Sequence, residues 1–139
     1  MLLDVGVWLA ATWDGHAHHR RAASWFDEQA SDLVLCRITQ MGLLRLLSNP
    51  AVMGGDVLTR ANAWSIVDQL RADERVRYAG EPNELEQAWR AISARDDDSH
   101  KLWTDDYLAA FAQAARLAMA TLDSGFARRY RSVTVHTLL

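Results

Sequence analysis

Apolar residues recur in two rhythms along this chain, and the switches between them lay out its elements. Residues 1–9, MLLDVGVWL, are almost continuously apolar, the pattern of a strand buried on both faces. Leu33-Val34-Leu35-Cys36 is a second unbroken apolar run. Helical spacing takes over in residues 39–47, where Leu43, Leu44, Leu46 and Leu47 give a core-facing helix opened by Thr39 and stopped by Ser48-Asn49-Pro50. Before it, residues 16–21 lead into a helix whose stripe is Ala22, Ala23, Phe26 and Ala30. After it, Leu58, Ala61, Trp64, Val67 and Leu70 return every three residues through 56–71, a short strand is predicted at 76–78, and 84–95 is helical through Leu85, Ala88, Trp89 and Ile92.

The last third begins with Thr104 as a helix cap and Asp105 and Asp106 in the first turn, where free N–H groups favour negative charge. Tyr107, Leu108, Phe111, Ala112, Ala115 and Leu117 then form one apolar face. Residues 118–122 read as a strand, Asp123-Ser124-Gly125 as a turn, and 133–135 as a final strand. Strands alternating with helices predict an α/β fold around a mainly parallel sheet.

Composition narrows this picture. The 139 residues, half of them hydrophobic, form one domain spanning 1–139 with a sizeable core. Fifteen Lys and Arg against 18 Asp and Glu leave a net charge of -3, which excludes a surface coated in positive charge but not a local basic patch. The single cysteine, Cys36, has no partner for an internal disulfide and is expected to be buried and reduced. No apolar stretch reaches membrane-spanning length and no basic leader precedes the first apolar run, so a cytoplasmic protein is expected.

The candidate chemistry lies in scattered polar residues. Asp4 interrupts the first apolar run, where a carboxylate costs several kcal/mol unless it is paired or metal-bound; the competing reading is an Asp capping a short strand. Asp123 stands at a strand exit, and in open parallel sheets ligands bind outside the carboxyl ends of the strands. Whether Asp105 reaches the same rim is left open, since a helix lying antiparallel along the whole strand is expected to place it at the opposite end. Three acids at element edges suggest a cleft for Mg2+ or Mn2+, hard cations that orient water and neutralise charge on a phosphodiester. His16, His18 and His19 lack the i,i+4 spacing of a zinc-binding helix, and Asp96-Asp97-Asp98 reads as a solvated turn. Gln40 and Arg45 are the large polar side chains of the 39–47 helix, Arg45 as a snorkelling surface residue.

In order along the chain, MLLDVGVWLA, CRITQMGLLRLLSNP, WTDDYLAAFA and ATLDSGFARRY resemble the PIN domain, and within it the ribonuclease toxins of VapBC toxin–antitoxin modules. The resemblance covers essentially the whole chain. It implies a three-layer α/β/α sandwich, acids from separate segments in one pocket, Mg2+ or Mn2+ as cofactor, RNA as substrate, a homodimer, and an antitoxin that covers the cleft or inserts a basic side chain. Residue by residue, Asp4, Asp105 and Asp123 match three acidic positions of the family and the helix-borne acid is brought to the strand-borne ones. Gln40 stands where the family has Glu, keeping an acceptor oxygen without charge. Gly6 replaces a common Asn or Ser, and Ala114-Ala115-Arg116 lacks the frequent glycine before the next strand.

Two functions of different class follow. One is a metal-dependent endoribonuclease in which Asp4, Asp105 and Asp123 hold the ion, Gln40 holds a water or the RNA backbone, and Arg20, Arg21, Arg128 and Arg129 rim the cleft for phosphates. The other is an RNA- or partner-binding module weakened through Gln40, with Trp13, Trp25 or Trp64 at an interface. A phospho-receiver domain also gathers Asp at strand ends but needs a late-strand lysine, and the one lysine here is Lys101 in a loop.

Overall fold

The computed structural model describes residues 1–30 and 32–139. A strand of only two residues, β1 (Leu2–Leu3), is the centre of a five-stranded sheet. Its neighbours are β2 (Leu33–Cys36) on one side and β4 (Met119–Thr121) on the other. The edges are β3 (Val76–Ala79) beside β2 and β5 (Val135–Thr137) beside β4. The order is therefore β3-β2-β1-β4-β5, every pair parallel.

Alternation along the strands assigns their side chains to two cores. Leu3, Leu33, Leu35 and Ala120 face one layer, containing α1 (Val5–Thr12), α2 (His19–Asp27), α3 (Arg37–Leu47) and α5 (Arg60–Ala72). A short α4 (Pro50–Met53) joins α3 to that layer through Met53. Leu2, Val34, Cys36 and Met119 face the other, with α6 (Leu85–Ser93), α7 (Trp103–Ala115) and α8 (Phe126–Arg129). Covered on both faces, β2 is buried at all four positions, which is why its sequence is a continuous apolar run. The expected three-layer α/β/α sandwich is the observed fold. Cys36 is buried with a free thiol, and no helix among the described residues is long and apolar enough to cross a membrane.

The first element departs from its predicted form. Residues 1–9 are not one strand: the chain leaves the sheet at Asp4 and enters α1. Asp4 is the N-cap, extended at φ -65° and ψ 156°, with Oδ1 accepting the Val5 N–H at 2.7 Å. Val7, Trp8, Leu9 and Ala10 are all buried, so α1 is apolar on every side and carries no 3.6-residue rhythm to separate it from a strand.

Other boundaries move for local reasons. Helix α3 starts at Arg37, because Thr39 at its third position accepts the Cys36 N–H at 3.0 Å and so closes a capping box one turn earlier. Helix α5 starts at Arg60, capped by Thr59, while Asp56 ends a 3-10 turn and accepts the Trp13 indole N–H at 2.9 Å. Helix α7 includes Trp103, whose ring packs edge-on against Trp89 at 6.1 Å; Leu102, not Thr104, is the cap residue. Its other end lacks the usual glycine, and Arg116 takes the left-handed conformation at φ 55°, a cost of about 1 kcal/mol. The last strand begins at Val135 because Val133 is drawn into the core ahead of it.

Helices α1 and α3 meet at Gly42, where a Cβ would lie 2.7 Å from Val5 Cγ2. Valine is stiff and cannot yield cheaply, so Gly42→Ala is expected to lower stability by about 1 kcal/mol in urea titration, the overpacking exceeding the helix-propensity gain. Combining it with Val5→Ala should remove that loss. Additive losses in the double mutant would mean that the two residues do not press on one another.

Candidate active site

Topology fixes where a site forms. The chain runs from β1 outward to β2 and β3, then returns to place β4 and β5 on the other side of β1, so the strand order reverses between β1 and β4. Open parallel sheets bind ligands at such a switch point, at the carboxyl edge. The residue after β1 is Asp4, and two residues after the end of β4 comes Asp123.

Thr121 locks these two carboxylates together. Wholly buried at the end of β4, its hydroxyl donates to Asp4 Oδ2 at 2.9 Å, and the same oxygen accepts the Asp123 N–H at 3.0 Å. With Val5 N–H on its other oxygen, Asp4 is held at both oxygens. Asp123 folds back so that Oδ1 accepts the Gly125 N–H at 2.7 Å, an Asx turn that leaves Oδ2 directed elsewhere. Sequence reading missed Thr121; the signal for it was a β-branched hydroxyl two residues before the acid at a strand end.

Asp105 joins them from α7. A helix lying antiparallel to the strand that follows it begins where that strand ends, so the expected displacement to the opposite edge does not occur and no crossover is needed. The proof is a shared partner: Arg129 Nη2, on α8, donates to Asp105 Oδ2 at 3.0 Å and to Asp123 Oδ2 in a very short contact. Next to Asp105, Asp106 faces inward instead, accepting from the buried Tyr130 hydroxyl at 2.6 Å and tying α8 to α7.

The electrostatics record the crowding. Burial, followed at a distance by the charge of Asp123, pushes the Asp4 carboxyl above its usual range, against the opposing Thr121 and Val5 hydrogen bonds. Asp105 is likewise raised, first by burial and then by Asp4, despite its Arg129 partner. Asp123 goes the other way, lowered by the Arg129 hydrogen bond and the Gly125 N–H. One guanidinium serves both, but Asp105 has lost much of its water and faces Asp4, whereas Asp123 keeps its solvent; the opposite shifts follow.

The remaining candidates have surroundings of their own. Gln40 is 2% exposed, and its Oε1 accepts from Arg37, whose guanidinium lies 4.9 Å over the Tyr78 ring. Gly6 lies in the first turn of α1 and brings no polar side chain toward Asp4, whose orientation is set by Thr121 and the Val5 N–H. Arg128 and Arg129 line a cavity of about 540 Å³ with Arg95, His100 and Trp103, beside the acids. Arg20 and Arg21 line a different groove with the histidines. There His16 Nδ1 accepts the His18 N–H and His19 Nδ1 bonds the Ala10 carbonyl. Asp97 closes its own turn on the Ser99 N–H at 3.0 Å.

Three carboxylates, with no thiolate or imidazole among them, are the donor chemistry of a hard divalent cation, and the raised pKas of Asp4 and Asp105 are what a bound cation would relieve. The donor set therefore fits Mg2+ or Mn2+. With Arg129 folded across Asp105 and Asp123, no three His, Cys, Asp or Glu side chains among the described residues form a group that would enclose one ion.

Known proteins are similar to this chain in sequence and fold. Residues 1–132 match the PIN domain family model. Ribonuclease VapC41 of Mycobacterium tuberculosis is 40% identical over 132 residues, covering 91% of this chain and 90% of the relative. Ribonuclease VapC29 of the same organism is 31% identical over 135 residues, covering 97% and 94%. The crystal structure of FitAcB from Neisseria gonorrhoeae superposes with a TM-score of 0.68 at 19% identity over 99% of this chain and 96% of that one, a likeness of fold. With the family model spanning nearly all its length and VapC proteins among its relatives, this chain belongs to the PIN-domain family, in its VapC branch.

Proposed function

We propose that this protein is a metal-dependent endoribonuclease and the toxin half of a VapBC-type toxin–antitoxin pair. The observation that carries the reading is the convergence of Asp4, Asp105 and Asp123, from three separate elements, at the sheet's switch point, Asp4 linked to Asp123 through Thr121 and Asp123 to Asp105 through Arg129. The names of the relatives, Ribonuclease VapC41 and Ribonuclease VapC29, support the choice of RNA.

In this reading Asp4, Asp105 and Asp123 hold Mg2+ or Mn2+. When bound, the ion supplies Lewis acidity toward the phosphodiester and lowers the pKa of an attacking water. The protein's part is positioning. Thr121 fixes Asp4 and Asp123 relative to each other, and the start of α7 presents Asp105. Arg95, Arg128 and Arg129 offer phosphate contacts along the neighbouring cavity, while Trp103, 57% exposed on its wall, offers a face for an unpaired base. Gln40 acts through its carboxamide on a water or the RNA backbone. A homodimer and an antitoxin complete the proposal; Trp64 and Met41, both about half exposed, supply an apolar surface beside Arg45 and Arg60 for one of them.

One observation favours the binding-module reading: Gln40 is uncharged and its oxygen is already taken by Arg37. Cleavage assays separate the two. Purified, antitoxin-free protein incubated with total RNA should cut it with Mg2+ and stop with EDTA, and Asp4→Asn should lower the rate by about 100-fold or more. RNA retention without cleavage at any Mg2+ or Mn2+ concentration would establish the module instead. Gln40→Glu, which sets a carboxylate beside Arg37, is expected to raise cleavage several-fold at limiting Mg2+; identical rates would remove Gln40 from the mechanism.

The raised carboxyls also set a pH dependence for the metal-free fold. Asp105 holds its proton to higher pH in the fold than in the unfolded chain, so between those two pKas the fold binds more protons and loses stability as pH rises. Asp105→Asn in EDTA should therefore melt above the wild type at neutral pH. The two curves should converge below about pH 3.5, where the carboxyl is protonated in both states. A mutant that melts lower at neutral pH would show that the Arg129 contact outweighs the crowding.

A further inference from the structure

Arg129 occupies the place that the proposed ion needs. Its Nη2 donates at once to Asp105 and Asp123, two of the three carboxylates, and it is the one basic side chain that bonds them among the described residues. The backbone is shaped around this pose. Arg129 sits one turn after Gly125, donating its N–H to the Gly125 carbonyl at 3.2 Å, and a Cβ at Gly125 would lie 2.8 Å from Arg129 Nη1. Phe126 and Tyr130 flank the guanidinium, 5.9 and 5.7 Å from its carbon, and Tyr130 is itself anchored to α7 through Asp106. The side chain is nonetheless a third exposed and borders the open cavity lined by Arg128, His100 and Trp103, so it has somewhere to go.

We propose that Arg129 is a built-in counter-ion of the acidic centre, competing with the divalent cation for Asp105 and Asp123, so that metal entry requires this arginine to swing into the adjacent cavity. The inference rests on the metal-dependent reading above and adds to it a named competitor from the protein's own chain. It explains how three converging acids are tolerated without a metal. It also places a guanidinium, once displaced, in the cavity beside the centre where an RNA phosphate would lie.

Competition of this kind lowers apparent affinity by the fraction of molecules in the open state. If about one molecule in ten is open, Arg129→Ala binds metal about tenfold more tightly than wild type. Arg129→Lys keeps the charge but has no planar fork to span two carboxylates, so its Kd should fall between them. Arg131→Ala removes an exposed charge two residues further along the chain that bonds neither acid and should leave the Kd near the wild-type value. The measurement is Mn2+ titration of each metal-free protein by calorimetry, with the Mn2+-induced rise in Tm as a second readout. Equal Kd values for wild type and Arg129→Ala, or equal tightening by Arg131→Ala, would overturn the competition while leaving the metal site intact. No Mn2+ binding in any of the four proteins would overturn both the competition and the metal-dependent reading.

Discussion

Like charges gathered at the carboxyl edge of a parallel sheet repel one another, and most of what surrounds the acidic centre answers that repulsion. Two carboxylates 4 Å apart cost about 4 kcal/mol at an effective dielectric constant of 20, a sizeable part of a small domain's stability. The fold meets the cost with oriented donors. Asp4 takes an N–H from the helix it caps and a hydroxyl from Thr121, Asp123 takes the Gly125 N–H, and Asp105 lies in the positive first turn of α7. Arg129 supplies the full charge those dipoles lack.

The same compensation ties stability to function. A centre relaxed by its own donors would have little use for an external cation, whereas one held by an arginine that is a third exposed is, in the proposed competition, balanced between an internal and an external partner. The opposite pKa shifts of Asp105 and Asp123 under a single guanidinium make this balance uneven: the more buried of the two acids remains under-compensated. Asp106 belongs to the architecture rather than the centre, since its carboxylate is spent on Tyr130 and so on fastening α8, the element that carries Arg129.

The two-residue β1 is the other economy in the design. It pairs on both sides, contributes one side chain to each core, and hands the chain to α1 at Asp4, so the central strand is no longer than is needed to aim one carboxylate at the switch point. The close contact of Gly42 with Val5 brings α3 against the start of α1, directly behind that carboxylate.

By itself the sequence determined the layers and the cast of acids. Unbroken apolar runs such as residues 33–36 are the mark of strands covered on both faces, amphipathic spacing marked α3, α5 and α7, and carboxylates beside apolar runs stood out because burying charge is costly. It did not separate α1 from a strand, because a helix buried all round has no periodic face. Only the tertiary structure decided that Asp105 stands with Asp123, that Thr121 clasps Asp4 from 117 residues away, and that Arg129 closes the group. Periodicity is a property of neighbours along the chain; charge compensation depends on distances through space, which exist only once the sheet order places β4 beside β1.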